Sequence, residues 1–303
     1  MDWESWLRSA AQRPSDNEDS KRDRTERQIR EVLDDWEALE GRPWRVYVKG
    51  SYANNTNVRL NFDVDIAVEY CGYFYHDLAL DLKGHDKSEV GVVDSSDPYT
   101  RGEFKADVLE ALRDRFGASA VKAGRIAYRI REGKTTLPAD VVPCWEYRRY
   151  DRLGWDGKPV FHVGSRVYPS TGGYVENFPK LQLDNGVAKN NRTARRYKRM
   201  VRGLKKLQVE LVRQGIMDSE LPSYLTECLV YNVPDSSFNK PTYVADIRGV
   251  LATIFNATLP SGGADEWHEV HELMYLFRGT RSWTIQQVHE MSSKAWDYIG
   301  FDD

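Results

Sequence analysis

Two aspartates on one face of an apolar strand are the residues of this chain best placed to do chemistry. The segment Phe62-Asp63-Val64-Asp65-Ile66-Ala67-Val68-Glu69-Tyr70 reads as a strand, in which side chains alternate faces with a period of two. Phe62, Val64, Ile66, Val68 and Tyr70 then share one face, and Asp63, Asp65, Ala67 and Glu69 the other. Aspartate is a poor strand residue, so the pair needs a reason. Either that face looks into water, or the carboxylates are hard oxygen ligands for Mg²⁺, an ion commonly held by a few carboxylates together with substrate phosphates. Upstream, Gly50-Ser51 follows the apolar Val46 and Val48 and can open a turn or helix whose N–H groups and hydroxyl grip phosphate oxygens. The glycine permits close backbone approach. Downstream, Asp140 lies in a β-branched run bounded by Pro138 and Pro143, which reads as a further strand. Placed beside the first strand, it would bring three carboxylates together, enough for two divalent ions roughly 3.5–4 Å apart.

Other polar groups have two readings each. Lys189, Arg192, Arg195, Arg196, Lys198, Arg199, Arg202, Lys205 and Lys206 form a basic cluster without an intervening acid. It is either a solvated helix face or a surface for a triphosphate. Lys198, Arg202 and Lys205 fall at i, i+4 and i+7, one stripe of a helix, beside an inward stripe of Tyr197, Val201 and Leu204. Ser223-Tyr224 opens a helix whose later residues Leu225, Cys228, Leu229 and Val230 look like core, so the pair reads as a cap and a packing ring. Asn177 can both donate to and accept from a base edge, or simply form a turn. His268-Glu269-Val270-His271 lacks the i, i+4 spacing of a metalloprotease pair and reads as a structural or surface pair on an amphipathic helix. No Walker-type loop or G-x-G-x-x-G occurs.

These residues need a scaffold. Ser15-Asp16-Asn17-Glu18 fits a capping box for a long helix carrying Ile29, Val32, Leu33, Trp36 and Leu39 and ending near Gly41-Arg42-Pro43. A second helix is expected over 101–115, strands over 125–130 and 135–142, and a loop-dominated stretch over 150–185. Helices are expected around 193–214, 222–232, 242–256, 264–277 and 284–299. The outline is an α+β lobe over residues 1–170 and a helical lobe over 171–303, with a cleft between them.

Composition narrows the class. The 303 residues are 41% hydrophobic and 29% charged, with nine Trp and seventeen Tyr, as expected of a folded globular protein. A net charge of −3 supplies no global field for nucleic acid. Three widely spaced cysteines, Cys71, Cys144 and Cys228, indicate neither a disulfide framework nor a structural zinc site. With no signal peptide and no apolar run near 20 residues, a cytoplasmic protein with free thiols is expected.

Taken together, Gly50-Ser51, Asp63-x-Asp65 and Asp140 resemble the signature of polymerase-beta-like nucleotidyltransferases. Further segments narrow the resemblance to the CD-NTases, cGAS/DncV-like bacterial enzymes of CBASS anti-phage defence, and within them to clade E. These are Val142-Pro143-Cys144-Trp145-Glu146-Tyr147-Arg148, Asn177-Phe178-Pro179-Lys180, Asn185-Gly186, Lys189-Asn190, Tyr197-Lys198-Arg199-x-Val201-Arg202 and Pro222-Ser223-Tyr224-Leu225. The resemblance implies a polymerase-beta-like core, a C-terminal helical lobe and a long N-terminal helix along the back of both. It implies that two NTPs are joined into a cyclic dinucleotide with Mg²⁺, or Mn²⁺ in its place. Asp63, Asp65 and Asp140 would hold two ions, and Gly50 and Ser51 the β/γ-phosphates. Lys198, Arg202 and Lys205 would contact nucleotide phosphates, Ser223 and Tyr224 a phosphate and a base. Asn177 is the residue associated with choosing uracil, so UTP and ATP are the expected substrates and cUMP-AMP or c-di-UMP the expected product. The resemblance also implies a monomer and a downstream cyclic-nucleotide effector; binding of long nucleic acid is not expected. Three alternatives stay open: a purine-only synthase, a template-free nucleotidyltransferase acting on RNA or a small molecule, and a non-catalytic nucleotide sensor or toxin–antitoxin partner.

Overall fold

The computed structural model describes the chain apart from residues 14–15, 59–62, 134–135 and 302–303, and apart from the side chains of 16–18. The expected capping box and Phe62 therefore lie outside the described residues. In chain order the first elements are α1 (Trp3–Ala10), α2 (Asp16–Asp34), β1 (Trp44–Val48), α3 (Gly50–Ala53), β2 (Val64–Leu78) and α4 (Arg101–Phe116). They are followed by β3 (Val121–Ala123), β4 (Tyr128–Ile130), β5 (Ala139–Leu153), β6 (Pro159–Val167) and β7 (Val175–Asn177). The helices α5 (Pro179–Arg192), α6 (Arg196–Arg213), α7 (Ser223–Asn232), α8 (Tyr243–Ala257) and α9 (Ile285–Ile299) complete the chain.

The chain divides into two compact units that interleave in sequence, so their borders differ from a cut at residue 170. One comprises Met1–Pro14, Gly50–Asn61 and Leu181–Asp303, the other Ser15–Lys49 and Phe62–Lys180. The reason lies in long-range packing. Leu7 of α1 is buried in the helical core with Tyr197, Val201 and Leu204, and Thr56 donates from Oγ1 to the buried Glu227 carboxylate of α7 at 2.8 Å.

In the sheet unit the strand order is β1-β2-β5-β4-β3, with β6 pairing β5 and β7 pairing β6. β2 and β5 are parallel, and parallel neighbours need a crossover. Here α4 lies on that connection. Phe104 of α4 meets Trp145 of β5 edge to face, 5.6 Å between centroids. Val64, Ile66, Val68 and Tyr70 are buried, as alternation requires. The opposite face is not simply wet: Ala67 joins Val142, Cys144 and Val167 in a small second core. Glu69 is buried too, its carboxylate accepting from Arg45 and from Tyr47 Oη at 2.6 Å.

Three expectations need correction. Residues 150–185 are not mainly loop. β5 continues to Leu153, a tight turn closes with Gly154 N donating to Lys158 O at 2.7 Å, and β6, β7 and the start of α5 fill the rest. The Gly, Pro and Asp content that reads as loop is confined to the turns. The long helix stops at Asp34, and Leu39 falls in a separate 3₁₀ turn, Glu37–Leu39. The helix expected over 264–277 is replaced, among the described residues, by a 3₁₀ turn (Ala264–Glu266) and turns closed by a His268–Tyr275 bridge. Asn232 binds both backbone groups of His268, accepting from its N at 3.1 Å and donating to its O at 2.7 Å. Such side-chain bonds compete with a helix for the same groups. His271 is a buried structural residue bound to Glu269 at 3.0 Å.

Candidate active site

Asp65 and Asp140 occupy one register position on the parallel strands β2 and β5. Residues paired this way project to the same side of a sheet, so the two carboxylates stand side by side. The approach to Asp140 is pinned twice. Leu137 N donates to Thr25 Oγ1 of α2 at 2.9 Å, and Val64 N donates to Pro138 O at 2.9 Å. Asp63 precedes β2 and is exposed. Hard carboxylate oxygens on one face suit a divalent ion. Among the described residues, however, no three His, Cys, Asp or Glu groups are gathered closely enough to hold one.

The partner of Asp140 is a residue that the sequence reading passed over. Arg129 lies opposite Asp140 in the β4–β5 register, and its Nε donates to Asp140 Oδ1 at 3.2 Å. This bond, the Asp140 charge and the charge of Asp63 raise the guanidinium pKa. Only pairing between distant strands reveals Arg129, since nothing local marks it.

Gly50 has φ +66°, a left-handed conformation that glycine adopts without strain. It turns the chain from β1 into the short α3. The following segment is tightly held: Asn54 N donates to Gly50 O at 3.1 Å, and Thr56 N to Ser51 O at 2.9 Å. Two residues of the basic stripe complete this clamp. Lys205 Nζ donates to Thr56 O at 3.0 Å, and Arg202 donates to Asn55 O and, at 2.8 Å, to Ala11 O. Lys198, Arg202 and Lys205 are all buried, like the neighbouring Tyr197, Val201 and Leu204. The basic stripe is thus drawn into the helical unit. Lys189 is buried as well, donating to Val233 O at 2.7 Å and to Asp235.

Ser223 is the first residue of α7 and makes no cap; Pro222 holds that position. Tyr224 Oη donates to Glu269 Oε2 at 2.5 Å. Asn177 ends β7 opposite Ser165 and is half-buried, so it is a strand residue and not a turn former. Its strand lies so close to β6 that a Cβ on Gly164 would stand 2.4 Å from Asn177 O, which explains the glycine there. Next to it, Phe178 is buried and packs on Tyr147, 5.8 Å between centroids. Gly50, Ser51, Lys198, Arg202, Lys205, Ser223 and Tyr224 belong to the helical unit, and Asp63, Asp65, Asp140 and Asn177 to the sheet unit.

Comparison with known proteins places these features in a family. Residues 184–300 match the cGAS/DncV-like nucleotidyltransferase C-terminal helical domain. The chain is 36% identical over 300 residues to a cyclic dipyrimidine nucleotide synthase CdnE of Cecembia lonarensis, covering 98% of each chain. It is 35% identical over 257 residues to a cyclic dipurine nucleotide synthase of Elizabethkingia meningoseptica, covering 84% of this chain and 85% of the other. Among solved structures, Rhodothermus marinus CdnE c-UMP-AMP synthase with Apcpp and Upnpp superposes with a TM-score of 0.83 at 31% identity, covering 99% of this chain and 97% of that one.

Proposed function

The chain belongs to the CD-NTase family of cGAS/DncV-like nucleotidyltransferases, and from that membership we propose that it joins two nucleoside triphosphates into a uridine-containing cyclic dinucleotide. The observation that carries this reading is the Asp65–Asp140 register in a chain so similar to such synthases. In each of two steps a 3′-hydroxyl oxygen bonds to an α-phosphorus, the bond to the leaving oxygen breaks, and pyrophosphate departs. The first step gives a linear dinucleotide; the second closes the ring. Asp63, Asp65 and Asp140 are the residues that would hold Mg²⁺, or Mn²⁺ in its place. Bound there, divalent ions would supply charge stabilisation at the attacking and leaving oxygens. Asp140 accepts the hydroxyl proton in this reading. Gly50 and Ser51 take the β/γ-phosphates, and Ser223 and Tyr224 a phosphate and a base. Arg202 and Lys205 serve by fixing the segment that follows Ser51, with Lys198 beside them on α6.

Asn177 carries the choice of uracil, because its amide can both donate to and accept from that base. UTP and ATP are the proposed substrates, and the product acts as a second messenger on a cyclic-nucleotide effector in anti-phage defence. No helix among the described residues is long and apolar enough to cross a membrane. The similarity to a cyclic dipurine synthase keeps a purine-only product as the second reading.

The test is incubation of the purified chain with ATP, UTP, GTP and CTP plus Mg²⁺ or Mn²⁺, then phosphatase treatment and mass analysis. A phosphatase-resistant dinucleotide containing uracil is expected. A purine-only product overturns the base assignment. Pyrophosphate release that needs RNA or a small-molecule acceptor overturns the synthase reading.

A further inference from the structure

Asn177 is held from behind. Ser165 of β6 stands opposite both Glu146 of β5 and Asn177 of β7, and residues paired across a sheet share a face. Counting by twos along β5, Glu146 leads through Cys144 and Val142 to Asp140. The small core of Ala67, Val142, Cys144 and Val167 lies on that face, so the alternation is unbroken and Asn177 belongs to the face of Asp65 and Asp140. Its two chain neighbours are anchored on the other face. Glu176 stands opposite Arg166, which in turn stands opposite Trp145. Arg166 is buried, and its Nη2 donates both to Glu176 Oε1 and, at 2.8 Å, to Asp77 Oδ2 of β2. Tyr147 Oη donates to the same Asp77 oxygen at 2.9 Å, and its ring centroid lies 4.6 Å from the Arg166 guanidinium. Phe178 is buried against that Tyr147 ring. The residues before and after Asn177 thus end in one cluster, built from β2, β5 and β6.

So short a strand needs such a hold. Among the described strands β7 pairs only with β6, over Val175, Glu176 and Asn177. Val175 and Tyr174 before it are exposed, and a short edge with exposed backbone bonds opens easily. We propose that Arg166 is a positioning residue for base choice: by tying Glu176 to Asp77 it fixes the strand that presents Asn177 on the face of Asp65 and Asp140. This rests on the assignment of Asn177 to uracil. An amide selects a base only when its donor and its acceptor are aligned with the base edge together. A loosened β7 therefore costs the matching base more than one that the amide does not match. Bonds between ionised groups are the stronger kind, which suits Arg166 and Glu176 to the task.

The test is calorimetric titration of the full chain, with Mg²⁺, using the α,β-methylene analogues of UTP and ATP. A CH₂ group replaces the leaving oxygen in them, so binding is read without transfer. The wild type should prefer the UTP analogue, and Asn177→Ala should lose that preference. Glu176→Ala leaves Arg166 balanced by Asp77 and should fold. It should lower the UTP-over-ATP affinity ratio by about three- to tenfold, the scale of one hydrogen bond. Glu176→Gln keeps an acceptor and should keep part of the ratio. Arg166→Gln leaves Asp77 and Glu176 uncompensated and should lower the ratio at least as far, whereas Arg166→Lys should restore part of it. Glu176→Ala combined with Asn177→Ala should match Asn177→Ala alone, because the hold acts through Asn177. Equal weakening of both analogues in Glu176→Ala, an additive loss in the double variant, or a ratio that only Asn177→Ala shifts overturns the proposal. A ratio that Asn177→Ala itself leaves unchanged overturns the reading of Asn177, and the proposal with it.

Discussion

Asp65 and Asp140 face each other across two parallel strands in one register position, although 75 residues of sequence separate them. Neither Asp65→Asn nor Asp140→Asn removes a buried hydrophobic contact, so both variants should fold. Each should lose at least about a hundredfold in pyrophosphate release, because charge at the attacking and leaving oxygens is left unstabilised. Turnover within tenfold of wild type in either variant would refute the assignment.

Arg129 competes with any cation for Asp140, to which its Nε donates at 3.2 Å. The guanidinium is largely exposed, and such pairs contribute roughly 0.2–1 kcal/mol. Arg129→Gln should therefore tighten Mn²⁺ binding by no more than about fivefold. Titration of Mn²⁺ followed by electron paramagnetic resonance reads this directly. Weaker binding in the variant would show instead that Arg129 positions Asp140 for the ion.

Lys205 holds Thr56 O from a buried position. Lys205→Met removes that donor, and leaving a buried acceptor short costs about 1–3 kcal/mol. Urea unfolding should show the loss, and amide exchange over residues 50–58 should quicken more than exchange in α9. Uniform quickening across the helical unit would argue against a local clamp.

Glu269 sets a pH dependence. Burial pushes its pKa up, but bonds from His271 and Tyr224 and the charges of His271 and Arg281 outweigh that and hold it below the ordinary value. A depressed folded value means stability that is present above the unfolded pKa of about 4.3 and is lost as pH falls through the folded value. Glu269→Gln should cost about 1–3 kcal/mol near neutrality. The gap between variant and wild type should close in acid. A gap that widens below pH 4 would contradict the sign.

Asn177 is the residue on which product identity turns in our reading. Asn177→Ala should reduce incorporation of UTP relative to ATP by about tenfold, the scale of one lost base-edge hydrogen bond pair. Competition assays with equal labelled NTPs measure the ratio. An unchanged ratio would move base choice to other residues.

Local patterns in the chain specified a good deal. The period of two across residues 64–70 marked a strand with one buried face and put Asp65 on the other. Gly50-Ser51 announced a turn after β1, and the apolar spacing of α4, α6, α7, α8 and α9 marked helices close to their observed limits. The helix at Trp3–Ala10, capped by Asp2, was not read from the sequence, because eight residues carry too short a periodic pattern. These features depend on neighbours within a few residues, which is what a periodic pattern encodes.

The rest depended on segments far apart in the chain. The sequence placed Asp140 on a strand, but only strand pairing set it opposite Asp65 and gave it Arg129. Glu69 shares a strand face with Asp65 and reads as solvent-facing, whereas Arg45 and Tyr47 on β1 make its burial tolerable. The basic stripe of α6 was visible by spacing. Its inward turn was not, because the carbonyls of Ala11, Asn55 and Thr56 that satisfy Arg202 and Lys205 come from other parts of the chain. A charge can be buried only where such partners meet it, and the tertiary fold alone decides where they do.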